Sequence, residues 1–131
     1  MKIPDNLYYS SEHEWVRVED GQAYIGITDF AQEHLGDIVF VELPELDAEV
    51  AAGEQVGVIE SVKAVSSMFS PVGGKVTGIN EGLEDEPELL NEDPYANHVL
   101  VVQMNDPEEL EALLTPAKYA QLCEEEEQGG N

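Results

Sequence analysis

The chain alternates apolar and polar positions through most of its length, in short runs closed by glycine, proline or Asp-Gly. His13-Glu14-Trp15-Val16-Arg17-Val18 and Gln22-Ala23-Tyr24-Ile25-Gly26-Ile27 flank Glu19-Asp20-Gly21. Asp-Gly between alternating runs predicts a hairpin. Thr28 is placed to cap a short helix that Gly36 ends. Asp37 to Leu43 is a strand closed by Pro44, Gly74 to Asn80 continues the sheet, and His98 to Met104 adds a last strand. Between Gly53 and Pro71 lie two apolar segments with no glycine or proline inside residues 58 to 70, so their reversal is tight and falls near Val62-Lys63. Val58 is expected on a buried face of the first of these strands.

The last quarter changes period. Asp106-Pro107-Glu108-Glu109 offers a cap, a proline at the first helical position and a glutamate three beyond the cap, before Leu110, Leu113 and Leu114. Thr115-Pro116 repeats the device ahead of Tyr119 and Leu122. Helices are therefore expected over 105–123, packed on the strands, and residues 124–131 read as an acidic, fraying tail. Shifting the chain by 38 positions pairs Gly36 with Gly74, Ile38 with Val76, Val41 with Ile79 and Asp47 with Asp85. Two similar strand units flanking one hairpin imply a mostly β fold, a quasi-twofold sandwich or flattened barrel, with short helices added.

At 131 residues the chain is expected to be one domain with a real core. Charge changes the picture more than size does. With 29 acidic residues against 5 basic, the net charge is −24. Such a field repels nucleic acid and anionic membranes and attracts basic protein partners, although salt-adapted solubility explains it equally well. One cysteine, Cys123, excludes an internal disulfide, and its position beside glutamates does not favour a thiolate. No apolar run approaches a membrane span, and the N-terminus lacks signal or transit character, so the cytoplasm is the expected compartment, with the mitochondrial matrix the alternative for a mature eukaryotic chain. His13, His34 and His98 show no metal-ligand spacing, and no phosphate loop is present. Catalytic residues and a metal are not expected.

What stands out is Lys63 at the predicted hairpin tip, within Glu60-Ser61-Val62-Lys63-Ala64. In this setting the pentapeptide resembles the lipoyl-lysine motif of the glycine cleavage system H-protein family. The resemblance extends along nearly the whole chain: His13-Glu14-Trp15, Gly26-Ile27-Thr28-Asp29-Phe30-Ala31-Gln32, Leu35 to Pro44, Ser70-Pro71-Val72, Pro87-Glu88-Leu89-Leu90-Asn91 and Asp93-Pro94-Tyr95 follow in the family's order. It implies a lipoyl/biotinyl-type barrel-sandwich. It also implies a monomeric carrier, not an enzyme, with lipoate amide-linked to Lys63 by a lipoate ligase or octanoyltransferase for which Glu60 is a recognition residue.

The implied partners are a pyridoxal-phosphate glycine decarboxylase, a tetrahydrofolate-dependent aminomethyltransferase and the flavoenzyme dihydrolipoyl dehydrogenase, between which the arm shuttles an aminomethyl group. By position, the family's arm cleft maps to Glu12, Glu14, His34 and Ser67. Glu14 is then either a partner of the cargo's ammonium or an exposed strand-end acid, and His34 either stands at the cleft mouth or on the helix surface. Trp15 is expected in the core. Two features depart from the family: Ser67 stands where an acid is usual, and Ala96-Asn97 replaces a Gly-Trp pair. A related lipoyl carrier serving another pathway and an unmodified acidic interaction module are the competing readings; Val62 and Ala64, where biotin carriers have methionines, argue against that class.

Overall fold

The structure, a computed structural model, describes residues 1–129. Nine strands run in order β1 (Tyr8–Tyr9), β2 (Glu14–Glu19), β3 (Gln22–Ile27), β4 (Ile38–Glu42), β5 (Glu49–Val50), β6 (Gln55–Ser61), β7 (Val65–Phe69), β8 (Gly74–Ile79) and β9 (Leu100–Met104). Four helices, α1 (Asp29–Leu35), α2 (Gly82–Asp85), α3 (Leu89–Glu92) and α4 (Pro116–Gly129), and a 3-10 turn over Pro107–Ala112 are the other elements among the described residues.

The strands form two antiparallel sheets. One is six-stranded in the order β1-β2-β3-β9-β8-β5, the other three-stranded in the order β4-β6-β7. The mostly β architecture agrees with the sequence pattern, as two separate sheets instead of a closed barrel. The repeat units divide between them, β4 in the small sheet and β8 in the large one.

Local chemistry explains the joints. Asp20 and Gly21 both have positive φ, 50° and 77°, as the tight β2–β3 turn requires. The Thr28 hydroxyl accepts the Ala31 N–H at 3.2 Å and so caps α1, which Gly36 ends at φ 77°. Asp106 caps the turn after it by accepting the Glu108 N–H at 3.0 Å. That segment is a 3-10 turn and not an α-helix, so the expected pair of C-terminal helices is one short turn followed by α4.

Two apolar clusters result. The larger fills the space between the sheets, with Ile25, Val76, Leu100 and Val102 fully buried. The smaller gathers Tyr9, Trp15, Phe30, Tyr119 and Cys123 where β1, β2, α1 and α4 meet. Trp15 lies in it, its indole N–H donating to the Pro94 carbonyl at 3.1 Å. Its ring leaves no room beside Gly26, where a Cβ would stand 2.6 Å from the Trp15 Cζ2. The expectation for Val58 needs correction. It is half-buried, and its neighbours Val56 and Ile59 are the residues of β6 that point inward. Pleating sends adjacent side chains to opposite faces, and the bulge between Gln55 and Gly57 sets which face each takes.

Candidate functional site: an exposed lysine and an acidic cleft

The β6–β7 hairpin reverses over Val62-Lys63-Ala64, and Ser61 organises the reversal. The Ser61 N–H donates to the Ala64 carbonyl at 2.8 Å. The Ser61 hydroxyl oxygen accepts the N–H groups of Ala64 at 3.0 Å and Lys63 at 3.3 Å. The Val62 N–H donates to the Asp37 carbonyl at 3.0 Å, which ties the turn to the segment entering β4. Lys63 is exposed and forms no ion pair among the described residues. By contrast Lys75, on β8, lies 3.6 Å from Asp47. A fixed backbone under a free primary amine suits acylation by another protein's active site, so the residues present fit an amide-linked arm. Around the tip the surface is apolar: Val39, Phe40, Val62 and Val65 are all exposed, and Glu60 lies in register between Phe40 and Val65.

Lys63 leans over the end of α1. Its Cε comes within 3.5 Å of the place a Cβ would occupy on Gly36. One turn back along that helix opens a cavity of about 320 Å³, lined by Glu12, His13, Phe30, Ala31, His34, Leu35, Ser66 and Glu126. Its aromatic wall is a stack of three rings. His13 lies on Phe30 at 4.5 Å between centroids and Phe30 on His34 at 4.0 Å. His34 Nδ1–H donates to the Phe30 carbonyl at 2.9 Å, which fixes its ring.

A second cavity of about 350 Å³ lies on the other side of the 10–14 segment and shares Glu12 with the first. Glu14 stands in its lining with Ser10, Phe69 and Leu113. Glu14 is 2% exposed, so the expectation of a strand-end acid in solvent does not hold. One carboxylate oxygen accepts the Ser10 hydroxyl at 2.5 Å and the other accepts the Phe69 N–H at 3.2 Å. The Glu14 N–H donates to Ser10 Oγ in return, at 3.0 Å. Loss of water around the carboxylate outweighs these bonds and pushes its pKa up to about 7. Neighbouring Glu12 pushes in the same direction. A cation brought beside Glu14 would favour the carboxylate form, the reverse of what burial alone does.

The four residues mapped to one cleft are therefore distributed. Glu12 and His34 share the first cavity, Glu12 and Glu14 the second. Ser67 lines neither; it is exposed, in register with Val58, and Ser66 is the β7 residue that reaches the first cavity. A strand's alternation makes the odd-even choice decisive, and the sequence did not fix its phase.

Residues unassigned by sequence also belong to the site. Ser10 is recognisable only through Glu14, four positions on. Glu126 comes from what reads as a fraying tail. In the structure α4 runs to Gly129, and the Glu126 carboxylate lies 2.9 Å from His13 Nε2. The last two positions of that predicted tail fall outside the described residues. Cys123 is buried in α4, and burial pushes its thiol up, in keeping with a passive role.

An exposed lysine on a rigid hairpin, set at the edge of a two-sheet sandwich beside an acidic cleft, is the geometry of a swinging-arm carrier. Residues 7–126 match the family model described as Glycine cleavage H-protein, and the chain belongs to that family. It is 65% identical over 130 residues to the "Glycine cleavage system H protein" of Syntrophomonas wolfei, covering 99% of both chains. It is 57% identical to the protein of the same name from Alkaliphilus oremlandii, covering 96% of this chain and 99% of that one. Among solved structures it is similar to a glycine cleavage system H protein from Mycobacterium marinum. That match has a TM-score of 0.84 and 38% identity, and covers 98% of this chain and all of the other. No helix among the described residues is long and apolar enough to cross a membrane.

Proposed function

We propose that this protein is the lipoyl carrier of a glycine cleavage system, modified on Lys63 and itself without catalytic activity. It takes an aminomethyl group from a pyridoxal-phosphate glycine decarboxylase and delivers it to a tetrahydrofolate-dependent aminomethyltransferase. Dihydrolipoyl dehydrogenase then restores it. When bound, the lipoyl group supplies a disulfide–dithiol couple at the end of a long flexible arm. The chain's own residues supply presentation and shelter. Ser61 holds the turn that exposes Lys63 to a lipoate ligase or octanoyltransferase, with Glu60 nearby as a recognition residue. The cleft behind the end of α1 offers apolar walls from Phe30, Ala31 and Leu35 and carboxylates from Glu12 and Glu126. An apolar arm ending in an ammonium fits such a lining. Glu14 offers a third, more deeply buried carboxylate across the 10–14 segment. The cytoplasm suits this role.

The observation that carries the reading is the free Lys63 amine on its Ser61-bonded turn, within a chain of this family. Coexpression with a lipoate-attaching enzyme tests it by intact mass. Wild type is expected to gain one lipoyl group and Lys63→Arg none; a gain on Lys63→Arg would overturn the assignment. Exchange of labelled bicarbonate into glycine by glycine decarboxylase and the modified protein then distinguishes glycine cleavage from another lipoyl-dependent pathway.

A further inference from the structure

The last turns of α4 carry Glu124, Glu125, Glu126 and Glu127, all exposed, and of these only Glu126 lines the cavity behind Lys63. Its position is fixed by a chain of bonds that crosses the cleft wall. Glu126 Oε1 lies 2.9 Å from His13 Nε2, and His13 Nδ1 lies 2.8 Å from the Tyr119 hydroxyl. That hydroxyl is 2.6 Å from Thr28 Oγ1, the cap of α1. One arrangement of protons satisfies every link: Thr28 donates to Tyr119, Tyr119 to His13 Nδ1, and His13 Nε2–H to Glu126. Tyr119 is fully buried and His13 packs flat on Phe30, so the two middle links of the chain are held in place. His13 also holds a left-handed backbone, φ 69°, uncommon for a residue with a side chain, and its N–H and carbonyl are bonded to the Ser10 carbonyl and the Thr28 N–H.

We propose that Glu126 is a binding residue of the arm cleft: it accepts the ammonium of the carried group, and the end of α4 thereby becomes part of the shelter. The inference rests on the carrier reading above. A carboxylate has two oxygens and about four acceptor positions, so Glu126 receives an ammonium N–H without releasing His13. The cavity's remaining acid, Glu12, is the second charge available to the same cation. Because the Glu126–His13–Tyr119–Thr28 chain ends on the cap of α1, a cation held at Glu126 ties α4 to the helix whose last turn lies under Lys63.

Hydrogen exchange and mass spectrometry on the lipoylated protein test this, before and after loading by glycine decarboxylase with glycine. Loading is expected to slow exchange of the amides over Glu124–Gln128 in wild type and to leave them unchanged in Glu126→Gln. The glutamine keeps the acceptor for His13 and removes only the charge. Ammonia release from the loaded Glu126→Gln protein is expected to be roughly two- to fivefold faster, the range of a partly exposed ion pair. Equal exchange in loaded and unloaded wild type, or release from the variant at the wild-type rate, overturns the proposal and leaves the carrier reading intact. A wild-type protein that accepts lipoate but never loads overturns both.

Discussion

Lys63 and Glu14 are placed by opposite means. Lys63 is exposed on a three-residue turn that is fixed by Ser61 and by backbone bonds, one of them to Asp37. Glu14 lies 2% exposed, held by a serine four residues away and by a backbone N–H fifty-five positions on. The first contributes little to folding and is open to other proteins. The second is part of the fold, and its ionisation is linked to stability. A carrier needs both kinds of residue, and the contrast predicts different costs for altering each.

The largest effect is expected at Glu14. Its native pKa of about 7 lies above the ordinary glutamate value, so the native state binds the extra proton and the unfolded chain does not. Stability from this group is fully present below the unfolded pKa and is lost as pH rises through the native one. Between pH 5 and 8 wild type should lose roughly 2–3 kcal/mol that Glu14→Gln does not lose. Urea unfolding of both proteins across that range checks this; parallel curves would mean that Glu14 is not buried as an acid.

A smaller effect is expected at the turn. Ser61→Ala removes the side-chain acceptor for two N–H groups that water can partly replace, so about 1 kcal/mol is expected to be lost. Lipoylation should slow several-fold as the turn loosens under the amine, measured by the time course of the mass gain. If modification proceeds at the wild-type rate, the tip does not depend on Ser61 for presentation.

The smallest effect sharpens the boundary of the cleft. Ser67 is exposed and lines neither cavity, so Ser67→Ala should change stability by less than about 0.5 kcal/mol. Ammonia release from the loaded protein should also be unchanged. Faster release would bring position 67 back into the cleft and displace Ser66 from it.

These contrasts also mark what the sequence could show. The β2–β3 hairpin, the Thr28 cap and the turn at Lys63 were legible because their determinants are local: Asp-Gly, a hydroxyl three residues before an N–H, and a run without breakers. The burial of Glu14 was not, because it depends on Phe69 approaching from a distant strand. The same holds for Glu126, whose surroundings in sequence are a run of glutamates and whose partner, His13, lies 113 positions away. Ser66 and Ser67 differ by a single step of the pleat, which composition cannot resolve.

The small sheet and its β6–β7 turn leave Val39, Phe40, Val62 and Val65 exposed around one lysine. On a neutral protein such a patch at the free edges of a three-stranded sheet would adhere to its own copies. Here each copy carries a net charge of −24, and like charge on two copies opposes that adhesion. The acidity thus acts as a colloidal filter.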